Sequence, residues 1–219
     1  MPEGRFSAPI HGGSHLPRPD RSRTVSRGAF LAAANRLGIG TVAGMAVRYT
    51  NGGSITRAAV ALFSMPGLTP LCAAVASGPT TFPCVPGLLS FRDMPTAQSA
   101  LGEAPDLLIC SGHGYAHPRR FCLACHMGMI ARLPTIGIAR TLLSSECSEV
   151  GNHIRDFSTL KDGGETIGVA LRTRPNVTPI FVSVGHGISL GSAIRCVLRC
   201  TSRFRMPEPL RPARHLASN

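Results

Sequence analysis

Residues 106 to 140 constrain the fold more than any other stretch of the chain. Leu107, Leu108, Ile109 and Cys110 form an apolar run of strand length, and Gly112-His113-Gly114 follows closely, so the backbone can turn sharply and present polar side chains at the strand's carboxyl end. Pro118 suits the first turn of a helix, with Phe121, Ala124, Cys125, Gly128, Met129 and Arg132 at helical spacing, until Pro134 opens a new element whose Ile136 and Ile138 make a second strand. Strand, polar turn, helix and strand predict two parallel strands joined by a right-handed crossover. Open sheets bind ligands at that carboxyl edge, which makes its polar residues the first candidates for a site.

The flanking sequence adds strands on both sides. Residues 1 to 23 repeat Pro, Gly, His, Ser and Arg without apolar periodicity and read as a disordered tail, ahead of a domain over 24 to 219. A helix is expected over 24 to 37. The runs 41 to 49, 54 to 64 and 68 to 77 are β-leaning and separated by Asn51-Gly52-Gly53 and Pro66-Gly67, so they read as an antiparallel meander. Residues 80 to 90 read as a loop, 95 to 102 as a helix and 141 to 164 as irregular. Strands are expected over 166 to 172 and 179 to 184, before a second Gly-His-Gly at 185 to 187. Ser189 then opens a helix carrying Leu190, Ala193, Ile194, Val197 and Leu198, and residues 203 to 212 read as irregular. The fold class is α/β: a mixed sheet, antiparallel meander followed by parallel strands, flanked by helices, which is a ribonuclease-H-like order.

A formal charge of +12 favours a polyanionic partner, an anionic small substrate or an acidic protein. Lys161 is the only lysine, so the excess is carried by arginine and a compositional bias accounts for it equally well. No apolar run approaches the roughly 18 residues that span a bilayer, and residues 1 to 13 lack a signal peptide's apolar segment; no membrane association and a cytoplasmic location are expected. Of the eight cysteines, Cys72, Cys110 and Cys196 lie in apolar runs and read as buried free thiols. Cys122-Leu-Ala-Cys125-His126 has the spacing of haem attachment but reads as helix packing, and Cys196 and Cys200 complete no zinc ligand set.

Several segments carry a resemblance. They are Val-Ala-Gly at 42 to 44, Thr-Arg-Ala-Ala at 56 to 59, Val-Pro-Gly-Leu-Leu-Ser-Phe-Arg at 85 to 92, Gly-His-Gly at 112 to 114 with His-Pro-Arg-Arg at 117 to 120, Pro-Thr-Ile-Gly-Ile-Ala at 134 to 139, Gly-His at 185 and 186, and Phe-Arg-Met-Pro-Glu-Pro at 204 to 209. In this order they resemble endonuclease V, whose members incise nucleic acid near deaminated bases such as inosine. The resemblance implies clustered carboxylates around Mg²⁺, which polarises the phosphate and activates water. At the three carboxylate positions of the pattern this chain has Ala46, Asp93 and Ser111. The pattern's wedge Tyr is Cys84, its phosphate-facing Lys is Arg140, and the basic residue after the second Gly-His is Gly187.

These departures lead to the expectation of a site without metal or other cofactor, in which Asp93, Ser111, His113 and His186 carry catalysis. Arg119, Arg140, His117, Gly87, Leu88, Gly112 and Gly114 are then expected to bind an anionic group. The expected activity is repurposed chemistry on a small anionic substrate: intramolecular substitution or elimination, such as strained-ring closure in natural-product biosynthesis, with a partner protein completing the pocket. The alternatives are a non-cleaving binder of inosine-containing nucleic acid and a weak residual endonuclease.

Overall fold

The computed structural model describes residues 38–143 and 145–219. The expected tail over 1 to 23 and helix over 24 to 37 lie outside the described residues. Among the described residues nine strands form one sheet, in the order β3-β2-β1-β4-β5-β9-β8-β7-β6. The meander is as expected: β1 (Thr41–Thr50), β2 (Ile55–Ser64) and β3 (Thr69–Pro79) pair antiparallel in sequence order. Strands β4 (Leu107–Ser111) and β5 (Thr135–Ala139) extend the sheet in parallel with β1. The far half then reverses direction. Strand β9 (Ile180–His186) is antiparallel to β5, and β8 (Glu165–Leu171), β7 (Phe157–Asp162) and β6 (Glu146–Cys147) follow antiparallel.

Strands β1, β4 and β5 are buried on both faces, as central strands covered by helices must be. On one face Met45, Leu108 and Cys110 pack against Met94, Ala97 and Ala100 of α1 (Leu89–Leu101) and Leu123, Ala124 and Met127 of α2 (Leu123–Ala131). On the other, Val42, Ala46, Leu107, Ile109, Ile136 and Ile138 meet α3 (Leu190–Arg199) and α4 (Leu210–Ser218). Ser189 caps α3 as expected, its hydroxyl accepting from the Ser192 amide at 3.3 Å.

Five readings of the sequence are corrected. Residues 141 to 164 hold β6 and β7. The helix expected from Pro95 begins at Leu89 and takes Pro95 into its interior. Pro118 starts no helix; residues 117 to 120 make a turn closed by the Arg120 amide on the His117 carbonyl at 2.7 Å, and α2 begins only at Leu123. The region over 203 to 212 leads into α4, which tolerates Pro212 because proline in a first helical turn removes no intrahelical hydrogen bond. Cys72 is exposed because it lies on edge strand β3; Cys110 and Cys196 are buried, and all eight cysteines are free.

Candidate functional site

Alternation along the strands gathers one set of residues at the carboxyl edge of β1, β4 and β5, on the α4 face. Met45 pairs with Cys110, so Ala46 and Ser111 are neighbours one step further along, and both share the face of Leu107 and Ile109. Arg48 follows Ala46 by two residues and Arg140 follows Ile138 by two, which places both on the same face. Helix α4 lies across this face with Leu210, Ala213 and Ala217 fully buried. Arg140, Arg205, Arg211, Arg214, His215 and Phe204 line a groove of about 690 Å³.

Arginines crowd this groove. Burial lowers the pKa of Arg214, and repulsion from Arg48 and Arg140 lowers it further. Burial likewise lowers that of Arg205, with Arg140 adding to the effect. Arg205 Nη2 donates to the Pro179 carbonyl at 2.7 Å and the Arg140 carbonyl at 3.4 Å, which pins its side chain. Glu208 pairs with Arg211 at 3.0 Å; among the described residues no carboxylate pairs with Arg48, Arg140, Arg205 or Arg214.

Asp93 is on the other face. It projects from α1 and accepts a short hydrogen bond from the Tyr49 hydroxyl, while Arg92 stacks its guanidinium 4.2 Å above the Tyr49 ring and donates to the Gly53 carbonyl at 2.6 Å. Burial pushes the Asp93 carboxyl up to about 6, against the opposing effects of the Tyr49 hydrogen bond and the Arg92 charge. A folded pKa raised above the unfolded value means that protonation favours the folded state, so this contribution is fully present below about pH 4 and lost as pH rises through 6. Asp93→Asn should therefore be more stable than the parent by on the order of 2 kcal/mol at pH 8 and near parity at pH 4. Urea unfolding of the two proteins across that range tests the sign; a gap independent of pH would contradict it.

The Gly-His-Gly turn after β4 folds over β5. A methyl at Gly137 would lie 2.3 Å from the Gly114 amide nitrogen, so only glycine lets the turn cross there, and the Gly114 amide donates to the Ser183 hydroxyl at 2.9 Å. His113 donates from Nε2 to the Thr141 carbonyl at 3.1 Å, and burial lowers its pKa. His117 is buried, and its Nδ1 accepts from the Arg119 amide at 3.2 Å. Burial, with the Arg119 charge, lowers its pKa also. Arg119 reaches over the turn at Gly87, whose positive φ of 80° favours glycine, so Arg119, Gly87 and adjoining Leu88 do come together. Arg140 belongs instead to the α4 groove, which Arg119 does not line, so the two arginines expected to bind one anionic group are not brought together there.

His186 is also elsewhere. A bulge at Gly185 shifts the β5–β9 register so that His186 pairs with Thr135, and its Cβ comes beneath Gly128 of α2. That is the face opposite Ser111 and roughly 10 Å back along β5, three residues before the pairing of Ser111 with Ile138. His186 therefore cannot act as a base for Ser111. Asp93 likewise stands across the sheet from the Ala46–Ser111–Arg140 edge. Reasoning from motifs missed Tyr49, Arg48, Arg205 and Arg214. For Arg214 one signal was available: Leu210, Ala213 and Ala217 mark an amphipathic helix on whose flank it sits.

A model of endonuclease V matches residues 26–215. The chain belongs to the endonuclease V family. It is 45% identical to the endonuclease V of Azotobacter vinelandii over 183 residues, covering 82% of this chain and 83% of that one. It is 47% identical to that of Nocardia farcinica over 179 residues, covering 80% and 79%. The crystal structure of endonuclease V from Streptomyces avermitilis aligns with a TM-score of 0.79 at 35% identity, covering 88% of this chain and 92% of that one. That of Ciona intestinalis endonuclease V, in complex with a 24mer DNA containing an inosine followed by a ribo-adenosine, aligns at 0.71 and 25% identity, covering 83% and 85%.

The resemblance to endonuclease V implies a Mg²⁺ ion, and the residues present do not fit it. Ala46 offers no donor, Ser111 a neutral hydroxyl, and Asp93 a carboxyl turned to Tyr49 on the opposite face. Among the described residues no three His, Cys, Asp or Glu side chains group so as to hold a metal. Arg48, Arg140 and Arg214 supply positive charge where a hard cation needs carboxylate oxygen.

Proposed function

We propose that this endonuclease V homologue binds nucleic acid, with deaminated, inosine-containing strands as its preferred form, and does not incise it with metal. One observation carries the reading: the edge of β1, β4 and β5 pairs Ala46 and Ser111 with Arg48, Arg140 and Arg214, a surface complementary to phosphate rather than to Mg²⁺. The kinship with a protein crystallised on inosine-containing DNA supports the choice of strand.

Labelled single-stranded oligonucleotides differing by one inosine test it, with retention scored by anisotropy and incision on a denaturing gel, with and without Mg²⁺ or Mn²⁺. Retention should be inosine-selective and should weaken as salt rises, while the strand stays intact in both metals. Metal-dependent incision abolished by Asp93→Ala would overturn the reading.

A second reading is metal-free substitution or elimination on a small molecule bearing a phosphate or sulfate leaving group. The observation favouring it is Asp93, a carboxyl titrating near 6 beside Tyr49, suited to general acid–base work at neutral pH. The separation of Asp93 from Arg140 across the sheet weighs against it. This reading predicts slow Asp93-dependent turnover of small phosphate or sulfate esters and no inosine selectivity.

A further inference from the structure

The arginines at the α4 groove form a unit that the metal-site comparison leaves unexplained. Bringing guanidinium groups together costs energy wherever no carboxylate offsets them, and here burial adds to that cost. The backbone positions of these arginines are nevertheless held by the sheet and by α4. Arg48 stands near the end of β1 and Arg140 directly follows β5, both central strands of the sheet, and Arg205 is pinned to two carbonyls. Arg214 rides on a helix whose first residues pack on Gly44 and whose Leu216 carbonyl accepts from Arg57 Nε at 3.0 Å. Arg205 Nε is buried and without a hydrogen-bond partner among the described residues. Glu208, just ahead of α4, is committed to Arg211 and to the Ser202 hydroxyl.

We infer that Arg214, with Arg48 and Arg140, forms an oxyanion site over Ala46 and Ser111, in which fixed guanidinium charge stands where the family pattern implies a metal ion. The ligand class is a tetrahedral oxyanion: a phosphodiester of a bound strand, or the phosphate or sulfate group of a small molecule. Guanidinium suits both, because its planar donors match two oxygens at once and its charge is permanent at all working pH. Ala46 is wholly buried and Ser111 half-buried beneath this edge, and neither presents a carboxylate that would repel an anion. This inference deepens the function proposed above by naming the group bound, and relies on it only for the anion's source.

Inorganic pyrophosphate is the probe, with titration calorimetry and thermal denaturation of the full chain as readouts. The parent should bind it and melt higher in its presence. Arg214→Gln should bind about tenfold more weakly, as expected for loss of one charge-assisted contact, and should melt higher than the parent when no anion is present, since repulsion is relieved. Arg140→Gln, a change at an exposed side chain, should repeat the loss if the helix variant folds poorly; Arg132→Gln, at the far end of α2, should bind as the parent does. Pyrophosphate binding unchanged in both Arg214→Gln and Arg140→Gln overturns the inference. If the variants also lose a labelled oligonucleotide, the site serves a strand phosphate; if they lose pyrophosphate alone, it serves a small anion. Loss of pyrophosphate in a protein showing no inosine-selective retention leaves this site standing while the proposed function falls.

Discussion

Gly44→Ala should cost at least about 3 kcal/mol of stability, on the scale of backbone-level overpacking and a large share of the roughly 5–15 kcal/mol that holds a domain folded. The added methyl would lie 2.1 Å from the Pro209 carbonyl oxygen and 2.2 Å from its carbon, closer than any real contact. Neither side can yield cheaply. Gly44 is on β1, hydrogen-bonded to strands on both sides, and the Pro209–Leu210 backbone begins α4, whose Leu210, Ala213 and Ala217 are wholly buried. The helix must therefore lift. Urea unfolding should show the lost stability, and hydrogen exchange should locate it at residues 210 to 218. Because Arg214 travels with the helix, pyrophosphate affinity should fall in the same variant. A protein that melts within about 2 °C of the parent, against the 2–8 °C typical of each 1 kcal/mol, would show that α4 does not depend on this contact.

The same helix shows why part of the fold could not be read from the chain. The meander and the β4–α2–β5 unit were legible because their strands are long apolar runs divided by glycine and proline turns. Helix α4 was hidden by Pro209 and Pro212, which read as breakers but occupy its cap and first turn. Strand β7 carries only Phe157 and Leu160 as large apolar residues, and just Leu160 is buried, so its pattern is weak; Asp162-Gly163-Gly164, with both glycines at positive φ, was the surviving trace of its hairpin to β8. For the site, motif positions were legible and their meeting was not. The Gly185 bulge turns His186 away from Ser111, a one-residue shift that no motif encodes. Tyr49 and Asp93 join across 44 positions, and Arg214 reaches Arg48 and Arg140 only because α4 packs where it does.

Ser111→Asp should reverse the preference of the β1–β4–β5 edge. Ser111 is half-buried, one step along the sheet from Ala46 and on the face of Arg140, so the new carboxylate would stand among the guanidinium groups. A charge about 6 Å from a bound oxyanion at an effective dielectric of about 20 is worth about 3 kcal/mol, and solvent screening at an open groove reduces this to about 1–2 kcal/mol. Pyrophosphate affinity should accordingly fall about tenfold or more. The variant should nonetheless gain no Mg²⁺-dependent incision, because Ala46 still offers no ligand and the arginines neutralise the carboxylate that Mg²⁺ would need. Melting temperature in anion-free buffer should rise, since the carboxylate relieves the repulsion that Arg214 bears from Arg48 and Arg140. Calorimetry with pyrophosphate and with Mg²⁺ decides the matter: tighter Mg²⁺ binding with incision restored by this one carboxylate would mean that the edge is still a nuclease centre lacking a single ligand, and that its arginines were never the seat of an anion.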